Sequence, residues 1–348
     1  MPKLSAGNLR AVVVRILRAA RAPEHVATVV ARYVVDADLC GYPSHGVNTI
    51  PTYVEEVSNG RIVPDAEPEI SQTGAGFLKA EGRKAFGHYA IDWLIPKLVA
   101  QLDAQAVCLA TVRNIGHVGR LGGYVETLSE QGCVALMTAG YALDPYESVV
   151  APVGTAVRRL GTNPMAVAVP TTRVPVVFDT STAAATVFGV IKAARDQRTM
   201  PAGVLIDAQG SVTDNPEDFF AGGSILPFGG HKGFGLSLAT CLLGALSGDC
   251  APQADKFGGV ALLAIKIDAF MPEADYRRGA DDFLSNLRST PSLRNSTVRI
   301  PGDRAHAERE RHYSEGVDVS EETWSLLMKC MNDLGVSAGT SEAVEDFM

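Results

Sequence analysis

The stretch Pro227-Phe228-Gly229-Gly230-His231-Lys232-Gly233-Phe234-Gly235 leads directly into the apolar segment Leu236-Ser237-Leu238-Ala239-Thr240-Cys241-Leu242-Leu243. Its glycines let a ligand approach the backbone closely, and the apolar segment predicts a buried helix whose first N–H groups face the loop. Lys232 adds a positive charge at the same point. The stretch therefore predicts an anion site, most simply for the phosphates of a nucleotide, although glycine clusters also form plain turns before a helix.

Neither familiar phosphate loop matches this stretch. A Walker A loop needs a Ser or Thr after its Gly-Lys to bind magnesium, whereas Gly233 follows Lys232. The Rossmann fingerprint needs a third glycine after Gly233-Phe234-Gly235, and Leu238 occupies that position. We therefore expect a site that belongs neither to a magnesium-dependent NTPase nor to an ordinary Rossmann fold.

The composition is typical of an enzyme that acts on small molecules. With 348 residues, 46% of them hydrophobic, the chain can bury a large core in two domains or in one large one. A net charge of −8 without a basic cluster argues against nucleic acid and anionic membranes as partners. No apolar run reaches the length of a membrane span, and residues 1–21 lack the core of a signal peptide.

The cysteines predict neither a disulfide framework nor a metal site. They are widely scattered, and none forms a Cys-x-x-Cys motif or pairs with a histidine at the spacing of zinc ligands. We therefore expect reduced, mostly buried thiols, no bound metal and a cytoplasmic location. The six positions are Cys40, Cys108, Cys133, Cys241, Cys250 and Cys330.

Hydrophobic spacing predicts helices at both ends of the chain and a mixed α/β middle. Two helical segments fill residues 4–40, and two more follow residue 300 and end near Gly335. Strands are predicted at residues 69–71, 76–80, 106–111, 134–138, 165–169, 174–178 and 259–267. The expected organisation is a helical substrate domain from residues 1–75 and 300–335, a cofactor-binding domain from residues 76–299, and a loose tail from residues 336–348.

Three further motifs carry side chains suited to chemistry. Ser44-His45-Gly46 lies in a predicted loop, where an imidazole can transfer a proton near neutral pH and the hydroxyl can orient it. The motif Asn114–Arg120 follows a strand and opens a helix, so an anion could bind there beside His117 and Arg120. Asp179 ends a predicted strand, where it could orient an imidazole, hold a ribose hydroxyl or cap a helix. A backbone-bound loop histidine and a helix cap with a surface arginine are the alternative interpretations of the first two motifs.

The order of these motifs along residues 5–335 resembles the type 2 malate/L-lactate dehydrogenase family. The matching segments are Ser44–Gly46, Gly116–Arg120, the turn Leu160–Pro164, Phe178–Thr182, Gly229–Gly235 and Pro301–Asp303. This family includes ureidoglycolate and sulfolactate dehydrogenases, diketogulonate reductase and reductases of cyclic imino acids. The resemblance implies hydride transfer with NAD or NADP on a non-Rossmann α/β fold: a mixed sheet with flanking helices, a helical domain from both chain ends, and usually a homodimer.

The resemblance also implies roles for individual residues. His45 is the expected proton donor or acceptor, with Ser44 and Asp179 as relay partners, and His117 is the second candidate for that role. The family motifs predict contacts with the cofactor at His117, Val118, Gly119, Arg120, Leu121, Tyr141, Asp179, Thr180, Ser181, Lys232, Gly302, Asp303 and Arg304.

Two positions depart from the family pattern. Many members carry an arginine four residues after the motif histidine, where it pairs with the substrate carboxylate, and here that position is Thr49. A hydroxyl cannot equal a bidentate guanidinium clamp, so either Arg120 binds the anion or the substrate is not an ordinary 2-oxo acid. The family often has Gly-Lys after the motif aspartate, where this chain reads Val187-Phe188-Gly189-Val190 and has its nearest lysine at Lys192.

We therefore predict an NAD(P)-dependent oxidoreductase that acts on a small 2-hydroxy or 2-oxo acid of the malate or lactate kind. A cyclic imino-acid reductase, which would protonate nitrogen with the same residues, is the alternative. A cofactor-binding homologue without catalysis is a third hypothesis, which the missing arginine and lysine motivate and the intact Ser44, His45, Asp179 and Lys232 oppose.

Overall fold

The computed structural model describes residues 2–143, 148–250, 257–293 and 297–336. Within these ranges the α-helices are α1 (Ala6–Ala19), α2 (Glu24–Leu39), α3 (Ile50–Ser58), α4 (Gly87–Gln101), α5 (Gly122–Glu130), α6 (Val187–Arg195), α7 (Glu217–Phe220), α8 (His231–Gly244), α9 (Glu273–Arg288), α10 (Asp303–Glu315) and α11 (Glu321–Asp333). The strands are β1 (Lys3–Leu4), β2 (Glu69–Gly74), β3 (Phe77–Ala85), β4 (Val107–Ile115), β5 (Cys133–Ala142), β6 (Met165–Val169), β7 (Val176–Thr180), β8 (Leu205–Ile206), β9 (Val212–Thr213), β10 (Ser224–Ile225), β11 (Phe257–Lys266) and β12 (Val317–Asp318).

The central sheet has seven strands in the order β2-β3-β4-β11-β5-β6-β7. β3 and β4 are parallel, and the other neighbouring pairs are antiparallel, so the sheet is mixed as predicted. Parallel neighbours need a crossover connection, which α4 supplies by packing on both β3 and β4. α5 packs on β5 and β6 beside it, and these helices bury the sheet residues that point to their side.

The predicted strands are confirmed, with shifts at their ends. β4 continues to Ile115, beyond the predicted end at residue 111. β7 begins two residues later than predicted, directly after Pro175, because proline has no N–H to donate to a neighbouring strand. Asp179, predicted at the end of this strand, is paired with Ala166 of β6, and β7 continues to Thr180.

The two ends of the chain share one helical core, as the resemblance implied. β1 pairs with β12 in antiparallel register. Buried side chains of α1, α2, α3 and α11 form one cluster with the segment before α4, and Leu9, Val30, Ile50 and Leu327 are among its fully buried members. The domain boundaries near residues 75 and 300 stay a prediction, and residues 337–348 of the predicted tail lie outside the described residues.

The prediction that the helix after the glycine loop is buried was wrong. α8 begins at His231 after Gly230, whose φ of 62° suits a glycine, but its buried residues are mainly small ones such as Ser237, Cys241 and Gly244. A methyl group on Gly140 of β5 would lie 2.3 Å from the backbone of α8, so helix and sheet touch directly. Leucines cover the outward face instead, and the exposed ones are Leu236, Leu238, Leu242, Leu243 and, just beyond the helix, Leu246. A uniformly apolar segment cannot indicate which of its faces the rest of the chain covers.

No helix in the described ranges combines the length and the apolar character that a membrane crossing requires.

Candidate active site

His45 lies on the loop between α2 and α3, which two short 3-10 turns shape. Pro43 starts the first turn, and Gly46 separates it from the second. Within the loop, Ser44 Oγ lies 2.9 Å from His45 Nδ1. Because the hydroxyl engages Nδ1, Nε2 is the ring nitrogen that His45 can present to a substrate.

His117 stacks beside His45. The ring centroids are 5.7 Å apart, and the planes are inclined by 18°. Nδ1 of His117 lies 2.8 Å from the hydroxyl of Tyr53, which α3 carries. Each imidazole thus has its Nδ1 engaged by a neighbouring hydroxyl, and the predicted pair of candidate acid/base residues lies together.

A third histidine, His88, lies beneath this pair at the start of α4. It is 1% exposed, its ring centroid is 5.6 Å from that of Tyr53, and Nδ1 has no hydrogen-bond partner among the described residues. A methyl group on Gly119, whose φ is 65°, would lie 2.4 Å from His88 Nε2. His88 therefore requires a glycine in the His117 motif, and sequence reasoning missed it because His88 itself belongs to no motif.

The surroundings of these histidines keep their imidazoles neutral. Burial lowers the pKa of His45 to about 4, and the nearby charge of Arg120 lowers it further in the same direction. Burial, and then His45, lower the pKa of His117 to about 3, although the residue is exposed where it lines the cleft. The pKa of His88 falls to about 3, first through burial and then through the other two imidazoles. At neutral pH these imidazoles are therefore unprotonated, and their low pKa makes them weak proton acceptors.

His45 and His117 line a cleft of about 1120 Å³. The end of β4, α3 with the residues that follow it, and the loop 161–164 form its walls. The predicted site residues on its surface are His45, Thr49, His117, Val118, Gly119 and Tyr141. Thr49 donates its hydroxyl hydrogen to Gly46 O at 2.8 Å, so the residue in the place of the family arginine stabilises the His45 loop.

The turn Leu160–Pro164 also holds the cleft wall in place. Asn163 is buried with a φ of 44°, and its Oδ1 accepts a hydrogen bond from Tyr141 N at 2.9 Å. Its Nδ2 donates to Ser237 Oγ at 2.7 Å. One amide therefore connects β5 to α8 and supports the loop 161–164.

Arg120 lies in a buried cluster of acidic residues. Its side chain is 5% exposed, and a guanidinium nitrogen lies 3.1 Å from Asp36 Oδ2. Glu126 and Asp179 approach within 4.0 and 3.9 Å, and Arg309 of α10 also contacts Asp36 and Glu126. Arg120 is not among the residues that line the cleft, so its role as the substrate's anion contact stays a prediction.

Asp179 contacts Gly122 and Arg120 rather than His45. Its Oδ2 accepts a 2.7 Å hydrogen bond from the N–H of Gly122, the first residue of α5. Burial raises the pKa of Asp179, whereas Arg120 and the Gly122 bond act in the opposite direction. The aspartate therefore stabilises the N-terminus of α5, and its role in a relay with His45 stays a prediction.

The remaining predicted cofactor residues are not among those that line the cleft. Ser181 Oγ donates to Thr162 O at 2.9 Å, which links the segment Asp179–Ser181 to the cleft wall. Lys232 is exposed in the first turn of α8. The guanidinium carbon of Arg304, which follows Gly302 and Asp303 at the start of α10, lies 5.1 Å from the ring centroid of Tyr42, just before the His45 loop. Leu121 is buried in the core before α5.

The chain is similar to known proteins over nearly its whole length. The family model described as malate/L-lactate dehydrogenase matches residues 4–328. L-sulfolactate dehydrogenase of Methanothermobacter thermautotrophicus is 29% identical over 341 residues, which cover 95% of this chain and 97% of that protein. A Δ1-pyrroline-2-carboxylate/Δ1-piperideine-2-carboxylate reductase of Pseudomonas putida is 31% identical over 310 residues, which cover 86% of this chain and 88% of that protein.

The fold is shared as well. The structure of sulfolactate dehydrogenase from Methanocaldococcus jannaschii superposes with a TM-score of 0.88 at 25% identity and covers 99% of both chains. These matches confirm the resemblance that the ordered motifs indicated and the mixed-sheet fold that it implied. The matched relatives are dehydrogenases and reductases. The chain therefore is an oxidoreductase and belongs to the malate/L-lactate dehydrogenase family.

Proposed function

We propose that the protein is an NAD(P)-dependent dehydrogenase of a small 2-hydroxy acid, with His45 as the acid/base residue. The observation that carries the proposal is the stacked pair His45 and His117, each with its Nδ1 engaged by a hydroxyl, on the surface of one cleft. The relatives named sulfolactate dehydrogenase support the substrate class.

The cleft fits a nicotinamide cofactor together with a small acid. Its volume of about 1120 Å³ exceeds that of most small-molecule sites, which is roughly 300–1,000 Å³. Tyr141 and residues 161–164 form one wall. The family motifs assign the cofactor to His117–Leu121, Tyr141, Asp179–Ser181, Lys232 and Gly302–Arg304. A bound NAD or NADP would supply or accept the hydride.

His45 performs the proton transfer that accompanies the hydride. During oxidation of a hydroxy acid, the C2–H bond breaks with loss of a hydride, and the hydroxyl proton passes to His45 Nε2. During reduction, the same nitrogen returns the proton to the carbonyl oxygen. A neutral His45 is ready for the oxidative direction, and the negative charge of a bound carboxylate would raise its pKa toward the range that reduction needs.

A substrate and cofactor panel tests the proposal. The protein is mixed with NADH or NADPH and a series of 2-oxo acids, among them pyruvate, oxaloacetate and sulfopyruvate, while the absorbance of the reduced nicotinamide is followed. We expect oxidation of one cofactor by at least one acid. Neither turnover nor cofactor binding with any combination would refute the proposal, and binding without turnover would indicate a homologue that has lost catalysis.

A cyclic imino-acid reductase is the second candidate function. The Pseudomonas putida relative, named for pyrroline and piperideine carboxylates, favours it. His45 would then donate its proton to a ring nitrogen. Adding both cyclic imino acids to the panel separates the two candidates, because the better substrate has the higher kcat/KM.

The substrate carboxylate needs a cation that Thr49 does not provide. The basic residues on the cleft surface are Arg61, Lys84 and Arg113. Arg113 is already paired with Glu81 at 2.9 Å, whereas Arg61 lies 3.9 Å from Glu56 and Lys84 donates to Gly60 O at 3.3 Å. We propose that Arg61 or Lys84 binds the substrate carboxylate, either together with Arg120 or in place of Arg120.

Replacing each cation by methionine tests this assignment. Arg61→Met or Lys84→Met should raise the KM for the acid without changing the affinity for the cofactor. Arg83→Met is the matched control, because Arg83 is exposed next to Lys84 but does not line the cleft. An unchanged KM in both variants would leave Arg120 as the anion contact.

We also propose a cytoplasmic homodimer. The exposed leucines of α8 form an apolar surface suited to a second copy of this chain, which agrees with the homodimers that the family resemblance implies. The thiols of Cys40, Cys108, Cys133 and Cys241 are free and buried, and Cys250 and Cys330 are free as well, which favours a reducing compartment.

A further inference from the structure

Asp38, which belongs to none of the sequence motifs, holds the His45 loop against α2. Asp38 lies in the last turn of α2 and is 9% exposed. Its Oδ2 accepts a 2.8 Å hydrogen bond from the N–H of Val47. Val47 begins the second 3-10 turn, directly after Gly46, so this bond fixes the backbone two residues from His45.

Gly46 lies very close to the same carboxylate. A methyl group on Gly46 would lie 1.9 Å from Asp38 Oδ1. The backbone of Gly46, with φ −87° and ψ −157°, is extended and open to any L-residue. The need for glycine after His45 therefore arises from the close approach of Asp38 and not from backbone strain.

The environment of Asp38 differs from that of its neighbour Asp36. Asp36 pairs with Arg120 and Arg309, whereas Asp38 has no ion-pair partner among the described residues. Burial raises the pKa of Asp38 to about 7, and the Val47 bond acts in the opposite direction. Burying a carboxylate without a cation lowers stability. The presence of such a carboxylate next to the His45 loop therefore favours a role in function.

We propose that Asp38 is a positioning residue, whose carboxylate sets the backbone of Gly46 and Val47 and thereby holds His45 against His117 for proton transfer. This inference rests on the proposed function of His45. Without the carboxylate, the loop loses its anchor and gains room to move toward α2. A displacement of about 1 Å at a reacting group can lower the rate roughly 10²-fold.

The first test compares two replacements of Asp38. Asp38→Ala should lower kcat by about 10- to 100-fold and leave the dissociation constant of the cofactor within about twofold. Asp38→Asn keeps an oxygen that can accept the Val47 bond and should restore most of kcat. Asp207→Ala is the matched control, because Asp207 also accepts backbone N–H bonds, at 2.9 and 2.8 Å, but in the turn between β8 and β9. It should lower the melting temperature without lowering kcat.

The second test uses the contact between Gly46 and Asp38. Gly46→Ala alone should lower kcat at least about tenfold because the methyl group collides with the carboxylate. In an Asp38→Ala background the collision is absent, and the same substitution should lower kcat less than about twofold further. Equal losses in both backgrounds, or a folded Asp38→Ala enzyme with wild-type kcat, would overturn the proposal. If Asp38→Ala does not fold, Asp38→Ser, which is too short to reach Val47, takes its place.

A third measurement separates this proposal from the proposed function. The imidazole resonances of His45, assigned by their loss in His45→Ala, should shift in Asp38→Ala and stay near their wild-type positions in Asp38→Asn. Unchanged resonances in Asp38→Ala would overturn the positioning role even in an active enzyme. A wild-type protein that turns over no substrate would refute the proposed function and leave this comparison intact.

Discussion

His45 and His117 each have one ring nitrogen engaged by a neighbouring hydroxyl, and this pairing decides which atom can meet a substrate. Ser44 orients His45, and Tyr53 orients His117. Both imidazoles line the cleft, so one can act as the proton carrier and the other as a hydrogen-bond partner of the substrate. At this scale the chemistry depends on whether His45 or His117 carries the proton.

Removing the imidazole of His45 should distinguish them. His45→Ala should lower turnover by roughly 10²- to 10⁴-fold, because the proton then has no positioned carrier. Initial rates give the loss, and fluorescence titration with NADH or NADPH should show a nearly unchanged cofactor affinity. His25→Ala, which removes an exposed histidine bonded to Glu67, is the control. Turnover at the wild-type level in His45→Ala would assign the proton to His117.

The buried Arg120 gives a second residue-scale prediction. Arg120→Met leaves Asp36, Glu126 and Asp179 with less compensating charge, and breaking buried ion pairs costs about 3–5 kcal/mol. Denaturant unfolding should show this loss, whereas Arg195→Met, at an exposed ion pair, should leave stability close to that of the wild type. If Arg120→Met instead keeps its stability and raises only the KM for the acid, the guanidinium binds substrate.

Sequence motifs could locate some of these residues and not others. Ser44, His45 and His117 carry reactive groups within short motifs, so the sequence alone indicated them. Tyr53 and His117 are separated by 64 positions, and only the tertiary fold, which places α3 beside the segment after β4, brings them together. Asp38 escaped detection for the same reason, because an aspartate near a helix end resembles many solvated ones.

α8 likewise shows which features of a helix could be predicted from the sequence and which could not. The glycine loop and the following apolar segment correctly predicted a helix here, but not its start, because α8 already begins at His231, within the predicted loop. They could not predict that glycines and other small residues would face the sheet and leave leucines outside, because that choice depends on Gly140 and its neighbours in β5. The start of β7, in contrast, is set by a local signal, because Pro175 directly precedes its first residue.

The outward face of α8 should hold two copies of the chain together. Leu242 is 62% exposed, and Leu242→Glu would place a charge in the proposed interface. Sedimentation velocity should show a dimer for the wild type and a monomer for the variant. Val212→Glu, at a residue 67% exposed in the short strand β9, should remain dimeric. A monomeric wild type, or a variant that stays dimeric, would contradict this interface.

For the whole molecule, the buried histidines link stability to pH. The pKa of His88 is lowered to about 3, below its value of about 6.5 in an unfolded chain. The unfolded chain therefore binds a proton that the folded protein does not, and stability falls as the pH drops from about 6.5 toward 3. Burial also lowers the pKa of His45, so His45 adds to this loss of stability at low pH. Asp38 acts in the opposite direction, because its raised pKa makes the folded protein more stable as the pH falls below about 7.

Replacing His88 isolates one of these contributions. His88→Gln should reduce the slope of unfolding free energy against pH by up to about 1.4 kcal/mol per pH unit between pH 4 and 6, whatever its effect at neutral pH. Denaturant unfolding at several pH values measures the slope. An unaltered slope in His88→Gln would mean that His88 is protonated in the folded protein.

The overall architecture was largely predictable, because the motifs occur in the order of a known family and most strands have clear apolar patterns. The order of the strands in space was not. β11 comes long after β7 in the chain, yet it lies between β4 and β5 in the sheet. No local pattern in residues 257–266 indicates which strands would be its neighbours.

The central place of this late strand has a consequence for synthesis. β4 and β5 leave the ribosome first, and their facing edges stay unpaired until residue 266 has been added. The 124 residues from the end of β5 at Ala142 to the end of β11 at Lys266 take roughly 6–25 s at about 5–20 residues per second. During that interval two open strand edges can pair with other nascent chains. Newly made copies of this protein should therefore depend on chaperones until their last central strand arrives.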